Sequence, residues 1–163
     1  MNRLALLALA SLAPLTALAQ KPPEFTFKIA TVAPEGTPWA ESVQAVKKRV
    51  EAESKGRIKM KAFLGGALGD EIQTVAETRR GAIHIWGGST TALASSVPEM
   101  NLLELPYLFR DAKEADHIID EVLFEDYKKL LLDRGFVLLF WSENGFRSFG
   151  SKFGFIKTPA DLK

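Results

Sequence analysis

The chain has 163 residues, 47% hydrophobic and 25% charged, with a formal net charge of +1. That composition is globular, and its bases are interleaved with acids, so no basic stripe offers itself to nucleic acid. There is no cysteine, which excludes disulfides, thiolate metal sites, a cysteine nucleophile and a lipoprotein anchor; two histidines leave little for a zinc site or a triad.

Arg3 precedes the apolar run LALLALASLAPLTALA, which ends in Ala17-Leu18-Ala19 before Gln20. A basic start, a short apolar core and an Ala-x-Ala site predict a secretory signal peptide over residues 1–19. A membrane anchor is the alternative, but Pro14 interrupts a run already short of the ~20 residues a bilayer span needs. No second apolar span follows, so the mature chain is expected to be exported without stable membrane insertion.

FTFKIAT (25–31) has the composition of a strand. After the turn VAPEGTPW, the spacing of Trp39, Val43, Val46 and Val50 predicts a helix that Gly56 stops. RIKMKAF (57–63) alternates as a second strand. The loop LGGALGDE leads into a helix running to Arg80, with Ile72, Val75 and Ala76 expected on its buried face. AIHIWGG (82–88) reads as a third strand, followed by the small-residue stretch STTALASS.

Beyond Pro98, two apolar clusters straddle Pro106, which forbids one continuous helix there. Asp111 is a candidate cap for a long helical region reaching Gly135, with Ala115, Ile118, Ile119, Val122 and Leu123 as its buried stripe. FVLLFW (136–141) is wholly apolar, as in a strand buried on both faces of a parallel sheet. SENGFRSFGSK and a short strand-like GFI follow. Thr158, Pro159 and Asp161 then open a helix that the sequence does not finish, as expected of the front part of a longer protein.

The alternation predicts an α/β fold with a mostly parallel sheet flanked by helices. Ligands of such sheets sit at the carboxyl ends of the strands, which here are the loops 31–39, 64–71, 87–92 and 142–147. GGALGDE lacks the G-x-G-x-x-G spacing of a dinucleotide fingerprint and reads as a tight turn whose Asp70 caps the next helix. Trp39 either packs under the first helix or walls a pocket. His84 reads as a structural histidine on its strand and His117 as a solvated one. Phe146, Phe149, Phe153 and Phe155 are packing residues or the lining of an apolar cleft. Arg147 has a permanently charged fork matched to both oxygens of a carboxylate; it is either a ligand contact or half of a structural ion pair.

The blocks KIATVAPEGTPW, GRIKMKAFLGGALGDE, ETRRGAIHI, VPEMNLLELPYLFRDAKEA, ENGFRSF and IKTPADLK resemble, in order and spacing, the DctP-type solute-binding proteins of tripartite ATP-independent periplasmic (TRAP) transporters. The resemblance implies a two-lobed periplasmic receptor that closes on a small organic acid and delivers it to a membrane permease driven by an ion gradient. It also implies no chemistry, no cofactor and no metal. Residues 20–142 would form the first α/β lobe, and 143–163 the crossover and the start of a second. Arg147, in Gly145-Phe146-Arg147, matches a family arginine that contacts the ligand carboxylate. In the family a second such arginine follows a D-L-K-G sequence; the present sequence stops at Asp161-Leu162-Lys163, before that position. Glu71, Ser89 and Thr90 match family ligand positions, and Thr31, Trp39 and Asn144 complete the candidate set. A receptor of the same fold for an apolar or non-carboxylate ligand, acting with a periplasmic partner protein, is the alternative. An exported hydrolase or isomerase lacks a G-x-S-x-G and a histidine in a usable loop.

Overall fold

The structure, a computed structural model, describes residues 22–152 and 154–162. The predicted signal peptide, Phe153 and Lys163 lie outside the described residues. Strand β1 (Phe25–Thr31) is central in a parallel sheet of order β2-β1-β3, with β2 at Ile58–Phe63 and β3 at Ile85–Gly87. Phe25 is in register with Ile58, and Ile29 with Ile85. Helix α1 (Pro38–Glu53) forms the first crossover and α2 (Glu71–Arg79) the second, and the short α3 (Thr90–Leu93) follows β3. This is the expected α/β architecture with helices flanking a parallel sheet.

Two apolar clusters hold it. Ile29, Val43 and Met60 are buried between the sheet and α1, with Trp39, Val50 and Ile85 packed against them. The larger cluster joins Val75 of α2 and Leu93 of α3 to Val97, Met100, Tyr127 and Leu131. Thr37 caps α1 through Ala40 N–H, with Pro38 in the first turn. Asp70 and Gln73 form a reciprocal capping box at α2.

Side chains complete the sheet where strands are missing. The His84 ring Nδ1 accepts from Lys28 N–H at 3.1 Å, while His84 N–H donates to Lys28 O at 3.1 Å. That makes His84 structural, as its alternation implied. On the outer margin of β2, Ser54 Oγ accepts from Ile58 N–H at 3.1 Å and Glu51 Oε1 from Met60 N–H at 2.9 Å. The Met60 bond, helped by Lys59 and Lys47 and opposed by desolvation, holds the Glu51 carboxyl below its usual range. A depressed folded value means the contribution is present above the ordinary carboxylate range and is lost as pH falls through the depressed value. Glu51→Gln is therefore expected to flatten the acid side of the stability profile, read as urea midpoints at neutral and acid pH.

Four expectations about local structure change. The helical region after Asp111 is broken: α4 (Ala112–Asp116) passes into a π turn (His117–Val122), then α5 (Phe124–Asp133). The wide turn, closed by Leu123 N–H to Ile118 O at 2.8 Å, adds residues to one revolution and rotates the buried stripe. Val122 is consequently 58% exposed, and the stripe continues through Tyr127 and Leu131. On α2, Val75 is buried as expected, but Ile72 and Ala76 face solvent and Thr74 is buried beside Val75.

FVLLFW is not a strand of the sheet. Phe136, Leu138 and Trp141 pack on the larger cluster, while Val137, Leu139 and Phe140 are exposed. A strand needs a ladder partner, and β3 offers an edge of only three residues before the chain turns into α3. Packing holds Trp141, which meets Tyr127 edge-on at 5.7 Å; its Nε1 has no acceptor among the described residues. Burial pushes the Tyr127 phenol up. GFI likewise makes no ladder, and the last element is a 3-10 turn at Pro159–Leu162, with Asp161 accepting from Thr158 N–H at 2.7 Å.

Candidate functional site

The carboxyl ends of β1 and β3, with the first turn of α2, bring four of the candidate residues to one edge of the sheet. Thr31 ends β1; it is buried, and its Oγ1 accepts from Ala33 N–H at 3.2 Å. Trp39 is half-buried against the α1 cluster and its indole edge reaches the end of β3. A Cβ on Gly87 would lie 3.6 Å from Trp39 Nε1 and 3.9 Å from Thr31 Cβ. The ring thus packs inward against that cluster, as the first of the two alternatives had it, and its edge borders the end of β3.

Glu71 and Ser89 face each other across that edge. Glu71 Oε1 accepts from Ser89 N–H at 3.1 Å, and Oε2 from Ser89 Oγ–H at 2.7 Å. Ser89 Oγ in turn accepts from Ala92 N–H at 3.1 Å, capping α3. Both carboxylate oxygens are engaged within the protein, so in this geometry the pair is a brace between two loops. Thr90 Oγ1 donates to Glu104, a residue that sequence reasoning did not place here.

The glycine-rich loop before α2 spends its amides internally. Gly65 N–H donates to Ala33 O, Gly66 N–H to Thr31 O, Ala67 N–H to Leu64 O and Gly69 N–H to Gly66 O. With φ of 60°, 74° and 119°, Gly65, Gly66 and Gly69 make a left-handed turn. It presents no cluster of amides to a phosphate.

Arg147 and Asn144 lie apart from this edge, on the exposed segment after Trp141. Arg49, Arg57, Arg80, Arg110 and Arg134 each pair with a glutamate. Arg147 is exposed and has no hydrogen bond or ion pair among the described residues. Two hollows of the surface are lined by other residues, one of about 310 Å³ beside Glu35, Glu41 and Gln44 and one of about 660 Å³, following Arg147 in the chain, among residues 148–151 and 154–156. Phe146, Phe149 and Phe155, near Arg147 in the sequence, are exposed, at 63%, 72% and 91%. Among the described residues no three acidic or histidine side chains converge to hold a metal ion, and no helix is long and apolar enough to cross a membrane.

What sequence reasoning missed is Trp86. Its indole folds over Gly88 and its Nε1–H donates to Thr74 Oγ1 at 3.0 Å. The available signal was the Gly-Gly pair following a tryptophan, which leaves room for a large ring to fold back.

Residues 29–163 match the family described as bacterial extracellular solute-binding protein, family 7 (DctP). The chain is 34% identical over 114 residues to the 2,3-diketo-L-gulonate-binding periplasmic protein YiaO of Escherichia coli, covering 70% of this chain and 35% of that protein. It is 33% identical over 144 residues to the C4-dicarboxylate-binding protein DctB of Bacillus subtilis, covering 86% and 40%. Among solved structures, a TRAP periplasmic solute-binding protein of Sulfurospirillum deleyianum with bound succinate aligns at a TM-score of 0.66 and 28% identity, over 72% of this chain and 38% of that one. The chain spans 35–40% of the length of four of the curated relatives it matches. It belongs to DctP, family 7 of the bacterial extracellular solute-binding proteins.

Proposed function

We propose that this chain forms the first lobe and crossover of an exported periplasmic receptor that grips a small organic acid through Arg147 and passes it to a TRAP permease, with no chemistry of its own. Residues 1–19 are its signal peptide, 20–142 the lobe, and 143–163 the crossover. The observation that carries the reading is the unpaired Arg147. Five other arginines have an acid beside them; Arg147, like Arg79 on α2, has none among the described residues, and of these two only Arg147 stands in the family's G-x-R context. On an open surface a pair with an acid is worth little. The contact becomes strong when closure of a second wall excludes water. Thr31, Trp39, Glu71, Ser89, Thr90 and Asn144 shape the remaining boundary. Relatives described as binding a sugar acid or a C4-dicarboxylate support the ligand class.

The exposure of Phe146, Phe149 and Phe155, near Arg147 in the sequence, favours a second reading, a ligand with an apolar body. One experiment separates them: thermal unfolding of the intact receptor with C4-dicarboxylates, sugar acids, and aromatic or branched acids. A ligand at one hundred times its dissociation constant stabilises by about 2.7 kcal/mol, an unmistakable rise in melting temperature. A rise with the polar acids supports the first reading and a rise confined to the apolar acids the second. No rise with any of them defeats both.

A further inference from the structure

Gly88 stands where β3 hands over to α3, and space, not backbone conformation, demands a glycine there. Its φ is outside the left-handed region, yet a Cβ would lie 2.2 Å from Cζ2 of Trp86 and 2.7 Å from Cε2. The indole occupies the volume a side chain would need. Its Nε1–H donates to Thr74 Oγ1 at 3.0 Å, and the Thr74 hydroxyl donates on to Asp70 O at 2.8 Å. The next residue, Glu71, accepts both donors of Ser89. Ser89 is bonded directly to Gly88, so a circuit closes: Trp86, Thr74, the first turn of α2, Glu71, Ser89, Gly88 and back to Trp86.

We propose that Trp86 is a positioning residue: its bond to Thr74, which the bare backbone of Gly88 admits, holds the Glu71–Ser89 brace in one geometry as a preformed wall of the ligand cleft. This rests on the reading of that edge as ligand-facing. Two bonds from a single serine fix a separation but leave the loop able to pivot about them. The third anchor, on the far side of Gly88, removes the pivot. Groups joined in one hydrogen-bonded network are energetically coupled, and a wall already ordered loses less freedom when a ligand arrives.

Amide hydrogen exchange on the chain, followed by NMR at Ser89 and at Met60, tests this without any ligand. Met60 is buried in the other apolar cluster and its N–H is held by Glu51, outside the circuit. Trp86→Phe and Thr74→Val each delete the Nε1–H bond while keeping most of the packing. Each is expected to speed Ser89 exchange by about tenfold, the equivalent of one lost hydrogen bond, with Met60 unchanged. The double variant should be no faster than the faster single one, because both remove the same bond. Unchanged Ser89 exchange in the single variants overturns the proposal. So does equal acceleration at Ser89 and Met60, which reports only a general loss of stability. Failure of the acid panel sinks the receptor reading, whereas the exchange rates alone decide the circuit.

Discussion

Replacing Arg147 by alanine is expected to weaken acid binding by the intact receptor about 10- to 100-fold while leaving the melting temperature of the unliganded protein where it was. The two halves of this result have separate causes. A charge-assisted hydrogen bond contributes about 1.5–3 kcal/mol, and each 1.4 kcal/mol is a factor of about ten in affinity. The unliganded protein loses nothing, because the side chain is exposed and has no partner among the described residues. Arg147→Lys keeps the charge but not the fork and should fall between the two. Calorimetry on the acid that gives the largest thermal shift measures all three. Equal affinities for wild type and the alanine variant would remove Arg147 from the site.

Leu131→Ala is expected to cost between about 2 and 5 kcal/mol of folding stability, against about 0.5 kcal/mol or less for Leu132→Ala. The residues are neighbours of the same type, yet Leu131 is 2% exposed within the larger cluster and Leu132 is 62% exposed. What separates them is the rotation of α5, set by the wide π turn that precedes it. Urea unfolding of both variants checks the register directly. Similar costs for the two would mean that the turn does not rotate the helix as described.

Much of the fold was legible because local chemistry and tertiary structure agree. FTFKIAT and RIKMKAF pair along most of their lengths, and Asp70 caps α2 as its residue type suggests. The π turn was not legible, since a 3.6-residue repeat assumes regular winding and carries Val122 into the core. FVLLFW was misjudged for a different reason: composition reports that a segment prefers burial, not that a ladder partner is within reach. The site divides in the same way. Loop positions at the ends of the strands followed from the α/β alternation, and with them the meeting of Thr31, Trp39, Glu71 and Ser89 at one edge. The mutual capture of Glu71 and Ser89 did not follow, because it depends on how two loops are oriented. Nor did the Trp86 circuit, which depends on one ring folding back over one glycine.

The two margins of the sheet are treated differently. Carboxylate and hydroxyl groups from α1 occupy donors along β2, so an incoming strand finds that side already taken. On the other side β3 offers an edge of only three residues, so an added strand would meet occupied donors along one margin and little ladder along the other.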